Sequence, residues 1–385
     1  MSPPGLGKDL SALRTEFPLL ETCTYLNSNS TGAVPRGVEA VLRRYWETLR
    51  CWRDEVWEGW WGEWHAYADA LARLLGAPAG SVVTDTNLTT LLGRLATCFD
   101  YRGERRRVVV TDLEFPTVPF LWRGFERYGA QPVVVPSEGD RVDEERLCAA
   151  VDERTLLVCV SHASFTTGAL LDVSRVARAA HAVGALVVVD AYQTVGTVPV
   201  EVGGLEVDFL LGGAHKWLCG STESAFLYVR PGLLPSLRPA ATGWIAGEDP
   251  FTFEPPRNWA PTARRLAAGT PAVLPSQVSR VGLELLADVG LPTIRAHSLA
   301  CTSRVMARAD EAGLTVVTPR EEARRGGVVS LRFPGDAEVA RRLVARGFVC
   351  SYRGLLRVAP HVYNTLEEVE HFMDALVAEA REVAT

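Results

Sequence analysis

Between Ser81 and Val229 the chain alternates short, continuously apolar and largely β-branched runs with amphipathic stretches. The runs are Ser81–Thr84, Arg107–Thr111, Pro132–Val135, Leu156–Val160, Ala185–Asp190, Phe209–Leu211 and Ala225–Val229. Unbroken apolarity, in place of a polar–apolar alternation, predicts strands buried on both faces, with the amphipathic stretches as covering helices. The pattern therefore predicts an α/β chain built on a mostly parallel, doubly wound sheet. Ahead of it, Val38, Val41, Leu42, Tyr45 and Trp46 recur at helical spacing and predict helix from about Gly37 to Leu75. After about residue 275 the texture changes. A long helix runs from Ser276 through Asp288 and on past Ile294, followed by a strand at Gly326–Arg332 and a helix near Ala337–Arg346. Strands near Phe348–Tyr352 and Leu355–Ala359 and a closing helix from Leu366 complete a smaller α+β lobe. There is no internal repeat and no low-complexity tract.

At 385 residues the chain exceeds what one small domain needs, so two lobes, or a large α/β domain with an appended piece, are expected. A net charge of -6 gives no overall basic field to hold a polyanion, which argues against nucleic acid as a partner. Arg105–Arg107 and Arg324–Arg325 read as solvated loop charges. The 8 cysteines are scattered, with no Cys-x-x-Cys pair and no histidine at metal spacing, which fits a reduced, cytoplasmic protein without a metal. The first residues lack an apolar core and no segment approaches about 18 uninterrupted apolar residues, so secretion and membrane insertion are disfavoured. Six of the 10 tryptophans fall between Trp46 and Trp64. They read as aromatic packing of helices or of a subunit interface, or as a hydrophobic wall at the mouth of a substrate pocket.

Among 40 basic residues only two are lysines, Lys8 and Lys216. Lys8 lies in a Pro/Gly-bearing tail not expected to be ordered. Lys216 lies between two apolar runs, in Phe209-Leu-Leu-Gly-Gly-Ala-His-Lys-Trp-Leu-Cys-Gly220. Arginine replaces a solvated lysine readily, but guanidinium is too basic to act as a nucleophile, whereas burial can tune an ammonium down. Lys216 is either a lysine spared by chance or an imine-forming one. Its neighbourhood favours the second reading. The run Ala185–Val189 ends in Asp190, at the carboxyl edge of the predicted sheet where α/β enzymes place ligands. A carboxylate there, one crossover from a nucleophilic amine, suits a pyridinium cofactor: the first keeps the ring nitrogen protonated and the second tethers the ring. Asp190 could instead merely cap a following helix. For a phosphate, Thr84-Asp-Thr-Asn-Leu-Thr-Thr-Leu-Leu92 leaves a strand and opens a helix with free N–H groups and hydroxyls. Ordinary capping by Asp85, Thr86 or Asn87 predicts the same residues. Phe115 follows a strand and could stack on an aromatic ring or belong to the core.

Together these residues resemble a fold-type I, pyridoxal-phosphate-dependent enzyme of the class V aminotransferase group, over nearly all of the chain. His215-Lys-Trp-Leu-Cys219 with Ala225-Phe-Leu-Tyr-Val-Arg-Pro231 is similar to isopenicillin N epimerase-like proteins, and Asp190-Ala-Tyr-Gln193 resembles the Asp-x-x-Gln of cysteine desulfurases. Thr242-Gly-Trp244, Ala268-Gly-Thr-Pro271, and Leu356-Arg-Val-Ala-Pro360 with Tyr363-Asn364 resemble kynureninase. The resemblance implies the aspartate aminotransferase fold: an N-terminal segment 1–30 against the active site, a large cofactor-binding domain 31–260 and a small α+β domain 261–385. It implies that Lys216 binds pyridoxal 5'-phosphate and carries the proton at the substrate's α-carbon, that Asp190 pairs with the pyridine nitrogen, and that Gln193 bonds the ring's 3-oxygen. Phe115 would stack on the ring. Leu88, Thr89 and His215 would hold the phosphate, with Thr270 reaching in from the other subunit of a homodimer and Trp244 also on the cofactor. Arg357 would pair with the substrate carboxylate, with Asn29 approaching the same group.

Departures from each relative bear on the reaction. Desulfurases carry a nucleophilic cysteine in a mobile loop shortly before the carboxylate arginine, where this chain has Tyr352-Arg-Gly-Leu-Leu356. Cys350 falls on a predicted strand. Kynureninase places Tyr before its lysine and His three residues after its aspartate; here these are His215 and Gln193. Its Phe-Pro-Thr-Asp becomes Phe115-Pro-Thr-Val118. With no thiol nucleophile and no second base, expulsion of a β-substituent is the easiest fate of an α-carbanion. The expectation is a carbon–sulfur lyase acting on a cysteine S-conjugate in specialised metabolism, with the tryptophan-rich segment taking a bulky tail. Transamination, decarboxylating deamination, kynureninase-type hydrolysis and epimerisation are the alternatives on the same scaffold. A non-catalytic cofactor-binding partner protein is a further reading.

Overall fold

The computed structural model describes residues 10–254 and 258–384; Lys8 lies outside them. A short strand, β1 (Thr24–Tyr25), precedes the helices Val38–Arg50 and Val56–Leu74. The large sheet follows: β2 (Val82–Asp85), β3 (Arg107–Thr111), β4 (Gln131–Val135), β5 (Thr155–Ser161), β6 (Leu186–Asp190), β7 (Phe209–Gly213) and β8 (Ala225–Val229). Their order is β2-β8-β7-β6-β5-β3-β4, parallel except that β8 runs antiparallel to both neighbours. All seven runs of the sequence pattern are strands of this sheet.

Alternate residues of one strand serve opposite layers. Val108 and Val110 pack with Trp122 and Leu91 on one face, while Val109 packs with Val176 and Ala180 on the other. This double burial explains the continuous apolarity of the strands. Helices Leu88–Ala96 and Thr117–Phe125 cover the first face and Val173–Ala182 the second.

The C-terminal part holds β9 (Thr315–Val316), β10 (Val329–Arg332), β11 (Phe348–Val349), β12 (Ser351–Tyr352) and β13 (Leu356–Val358). Four of them form an antiparallel sheet in the order β12-β13-β10-β9, packed on helices Leu291–Glu311 and Leu366–Ala384. The predicted strand Phe348–Tyr352 divides at Cys350, because its halves take different partners: β11 pairs in parallel with β1, and β12 pairs with β13. The predicted helix through Ser276 and Ile294 is two helices, Val273–Val289 and Leu291–Glu311. Gly290, at φ 90°, ends the first, and Pro292, which has no N–H to donate, opens the second.

Residues 24–32 join both parts of the chain. Ser28 Oγ meets Tyr363 Oη at 2.6 Å, the Asn29 carbonyl accepts from Gln193 Nε2 at 3.0 Å, and Gly32 N–H donates to the His215 carbonyl at 2.8 Å. The tryptophan-rich segment packs on itself. Trp60 stacks on Tyr45 with centroids 5.2 Å apart and meets Trp52 and Trp57 edge-on, while Trp46 is 62% exposed. Trp64 is buried and donates to Thr84 Oγ1 at 2.6 Å. Helix packing accounts for these contacts, and within one chain none of these rings lines the pocket described below. Among the described residues no helix is long and apolar enough to cross a membrane.

Candidate active site

The carboxyl ends of β5, β6 and β7 open on a cavity of about 330 Å³. Parallel strands end there with their next residues turned outward, which is where such sheets present ligand-binding groups. Asp190 closes β6 beside its register partner Ser161 on β5. Lys216 follows β7 by one tight turn, and Gly213 at the end of that strand lies under the Tyr192 ring, where a Cβ would stand 2.0 Å from the hydroxyl.

The loop carrying the lysine is held from several sides. Cys219 adopts φ 53°, a left-handed conformation unusual for a residue with a side chain, and Cys219 N–H bonds the Lys216 carbonyl at 3.1 Å. His361 meets the Trp217 carbonyl at 2.8 Å, and Trp217 Nε1–H donates to Gln193 Oε1 at 3.0 Å. Gln193 is thus fixed at both ends of its amide, with a second N–H left for an acceptor.

The Lys216 amine lies 4.7 Å from the Tyr192 ring centroid and 5.8 Å from that of Phe115. Burial pushes its pKa down to about 8; Asp190 opposes this and Arg357 adds to it. Burial also pushes the Asp190 carboxyl up, against the pull of the Tyr192 N–H, which donates to Oδ1 at 2.9 Å, and of the Lys216 charge. The other carboxylate oxygen accepts no hydrogen bond from the described residues. His215 meets Tyr192 Oη through Nδ1 at 2.8 Å, and burial followed by the Lys216 charge lowers its pKa to about 4. With Tyr192 as donor, the neutral ring carries its proton on Nε2.

Across the cavity, Asn87 caps the helix Leu88–Ala96 by accepting from Thr90 N–H at 2.8 Å. Capping consumes the Thr90 donor and leaves the backbone N–H groups of Leu88 and Thr89 at the positive end of the helix dipole. Asn87 is thus the cap, and capping does not use up the two N–H groups that a phosphate would need. Phe115 is 44% exposed, so it is not core; it meets Phe165 edge-on at 5.2 Å on the cavity wall.

The far wall belongs to β13. Arg357 is buried, its Nη1 donates to the Phe165 carbonyl at 2.6 Å, and its Nε has no partner. Burial, then the neighbouring Arg353, lowers its pKa to about 10. Asn29 is buried on the same side, 3.4 Å from Ser351 Oγ.

Nine of the eleven residues singled out in the sequence thus line one cavity. The remaining two, Trp244 and Thr270, are exposed on the surface of the chain, Trp244 against Phe251 and Phe253. Sequence reasoning missed Tyr192, Ser161, Phe165 and Arg353, all of which line the cavity. Tyr192 stands inside the quoted Asp190–Gln193 motif and was open to notice; Phe165 and Ser161 carry no signal short of the strand register.

Residues 69–372 match the aminotransferase class-V family. The chain is 31% identical to the uncharacterized aminotransferase YcbU of Bacillus subtilis over 366 residues, covering 95% of this chain and 96% of that protein. It is 33% identical to the kynureninase of Deinococcus radiodurans, over 89% of this chain and 86% of the relative. In structure it is similar to the apo cysteine desulfurase of Thermococcus onnurineus NA1, with a TM-score of 0.86 at 22% identity over 99% of this chain and 100% of the other. A complex of the cystine C-S lyase C-DES with cysteine persulfide matches with a TM-score of 0.86 at 20% identity, over 94% of this chain and 99% of the other.

The chain belongs to the class V aminotransferase family, a fold-type I group of pyridoxal-phosphate enzymes of aminotransferase, cysteine desulfurase and kynureninase type. Its cofactor is pyridoxal 5'-phosphate. The donor set fits that group. A helix N-terminus with a hydroxyl and a neutral imidazole N–H suits a phosphate, a carboxylate with an uncommitted oxygen suits a ring N–H, and an amine lowered to about 8 suits an aldehyde.

Proposed function

We propose that this protein is a lyase that removes a β-substituent from an amino acid, with a cysteine S-conjugate as substrate. One observation carries the reading: among the described residues lining the cavity, Lys216 is the one amine and there is no thiol. Cys350, nearest in sequence to the place of a desulfurase nucleophile, is buried between β11 and β12, and burial pushes its thiol up to about 12. A thiol held protonated is a poor nucleophile.

When bound, pyridoxal phosphate supplies an electron sink for charge released at the substrate's α-carbon. Leu88 and Thr89 N–H groups, the Thr89 hydroxyl and His215 would hold its phosphate. Asp190 would keep the ring nitrogen protonated, Gln193 would donate its spare N–H to the 3-oxygen, and Phe115 would cover one face. Arg357 would take the substrate α-carboxylate, satisfying the orphaned Nε, with Asn29 beside it. Lys216 would lift the α-proton, the pair freed at the α-carbon would form the double bond to the β-carbon as the sulfur leaves with its own bonding pair, and the proton held on Lys216 would pass to that sulfur, which departs as a thiol.

Thr270 and Trp244, both on the surface, support a homodimer in which each would reach the partner's cofactor; sedimentation reading a monomer at working concentration would remove both assignments. The division into 1–30, 31–260 and 261–385, and a reduced cytoplasmic setting for the free cysteines, belong to the same proposal. Limited proteolysis cutting near residue 260 tests the division.

The test is mass analysis of products from a panel of S-conjugated, aromatic and aliphatic amino acids, with Lys216→Ala as control. Pyruvate and a thiol released from S-substituted cysteines support the lyase. A retained amine with an inverted α-centre would point to epimerisation, an aldehyde to decarboxylating deamination, and pyridoxamine phosphate to transamination.

A further inference from the structure

Three cations line the cavity, Lys216, Arg353 and Arg357, against the single carboxylate of Asp190. On the reading above, Lys216 serves the cofactor, Asp190 the ring nitrogen and Arg357 the substrate's α-carboxylate. Arg353 is then a positive charge without a counterpart. Among the described residues no carboxylate pairs with either arginine, and their side-chain hydrogen bonds go to backbone: Arg353 Nη1 to the Tyr352 carbonyl at 2.9 Å, and Arg357 Nη1 to that of Phe165 at 2.6 Å. Together these bonds leave most of the donors of the two guanidiniums free.

Arg353 is also placed with care by the backbone. It sits at the turn between β12 and β13, where Ser351 pairs with Arg357 and Tyr352 with Leu356. Its N–H bonds the Leu355 carbonyl at 3.1 Å, and Gly354 takes φ 75° to close the turn. On its other edge β13 is laddered to β10, with Ser330 opposite Arg357. The hairpin therefore carries one guanidinium at the exposed rim and one in the buried wall of the same cavity. Like charges facing one cavity repel, and a ligand anion beside each relieves that repulsion.

We infer that Arg353 is the specificity residue for a second anionic group on the substrate, so that this site takes an amino acid whose side chain or leaving group is itself acidic. This rests on the proposed function above, in which Arg357 holds the α-carboxylate. For a cysteine S-conjugate it places the second acid on the sulfur substituent, which departs as an acidic thiol. A bidentate guanidinium–carboxylate pair at the rim selects such substrates over neutral ones of equal length.

The test is binding of unreactive acids to the holoenzyme by titration calorimetry, with succinate, glutarate and adipate as two-charge probes and butyrate as the one-charge control. Wild type should bind the best dicarboxylate at least about tenfold more tightly than butyrate, the size of one added charge-assisted hydrogen bond. Arg353→Gln should abolish that preference and leave butyrate binding unchanged. Higher ionic strength should shrink the preference in wild type, because the rim charge is exposed. Equal binding of butyrate and all three dicarboxylates by wild type overturns the inference. So does an Arg353→Gln change that weakens both kinds of acid by one factor, which would make Arg353 a second contact to the same carboxylate. Arg357→Gln should weaken every probe; if it weakens none while Arg353→Gln acts as stated, the α-carboxylate role fails and the anion site at Arg353 stands.

Discussion

Gly32 and Lys216 touch through their backbones: a Cβ on residue 32 would stand 2.0 Å from the Lys216 carbonyl oxygen and 3.2 Å from Cys219 Cα. Both partners are backbone, so neither can swing aside as a flexible side chain would. Gly32 N–H is already bonded to the His215 carbonyl, which ties the N-terminal segment to the lysine loop from below. Gly32→Ala should therefore push the two apart, at a cost on the order of 2–4 kcal/mol. Thermal denaturation should show a lower midpoint, and dialysis should show faster loss of cofactor. Thr31→Ala, at an exposed neighbour, should change the stability by less than about 0.5 kcal/mol.

Tyr192 orients His215 through the 2.8 Å bond to Nδ1, and the pKa of about 4 leaves the imidazole neutral, so its direction depends on that bond. Tyr192→Phe keeps the ring beside Lys216 and removes the donor. We expect the fold to melt normally and the affinity for pyridoxal phosphate to fall about tenfold, the effect of one oriented hydrogen bond. Equilibrium dialysis measures this directly. An unchanged affinity would take His215 out of the phosphate site.

The seven strands were legible because burial on both faces leaves continuous apolar runs, and Asp190 and Lys216 were legible because each interrupts such a setting with a charged group. Element ends were less so. Cys350 divides a predicted strand since the chain there exchanges one sheet partner for another, a tertiary choice with no local signature. Gly290 and Pro292 did carry the break in the long helix, in residues whose backbone preferences oppose helix continuation. Within the site, Arg353 escaped notice because in sequence it is one more arginine among many, and only the hairpin brings it to the cavity beside Arg357. The tryptophan segment shows the reverse: a conspicuous composition of which Trp60 packs between helices while Trp46 stays exposed.

Lys216 should react as an amine of lowered basicity. In the apo-protein its rate of modification by an amine reagent, followed by peptide mapping, should rise through a midpoint near about 8. Asp190 stabilises the ammonium, so Asp190→Asn should move the midpoint to lower pH and leave the amine more reactive at neutrality. A midpoint in wild type at the ordinary value of 10.5 would mean that the loop is open to water.

Glu114 lies buried behind the cavity, accepting from Thr111 Oγ1 at 2.7 Å and from Ser161 Oγ at 2.5 Å. Burial pushes its carboxyl up to about 7, the Asp190 charge adds to this, and the two hydroxyls pull the other way. Since the folded value stands above the ordinary 4.5, the folded chain keeps a proton that the unfolded chain releases. Its contribution to stability is therefore complete below about 4.5 and is lost as pH rises through about 7. Glu114→Gln keeps the shape and an acceptor for one hydroxyl but does not titrate. Denaturant unfolding of both proteins from about pH 4 to about pH 8 isolates the effect, because every other titrating group cancels in the difference. Relative to the variant, wild type should lose on the order of 2–3 kcal/mol across that range, levelling off above pH 7. A flat difference would mean that the carboxyl titrates alike in the folded and unfolded chain, its two hydroxyls offsetting its burial, and a rising one that the hydroxyls outweigh it.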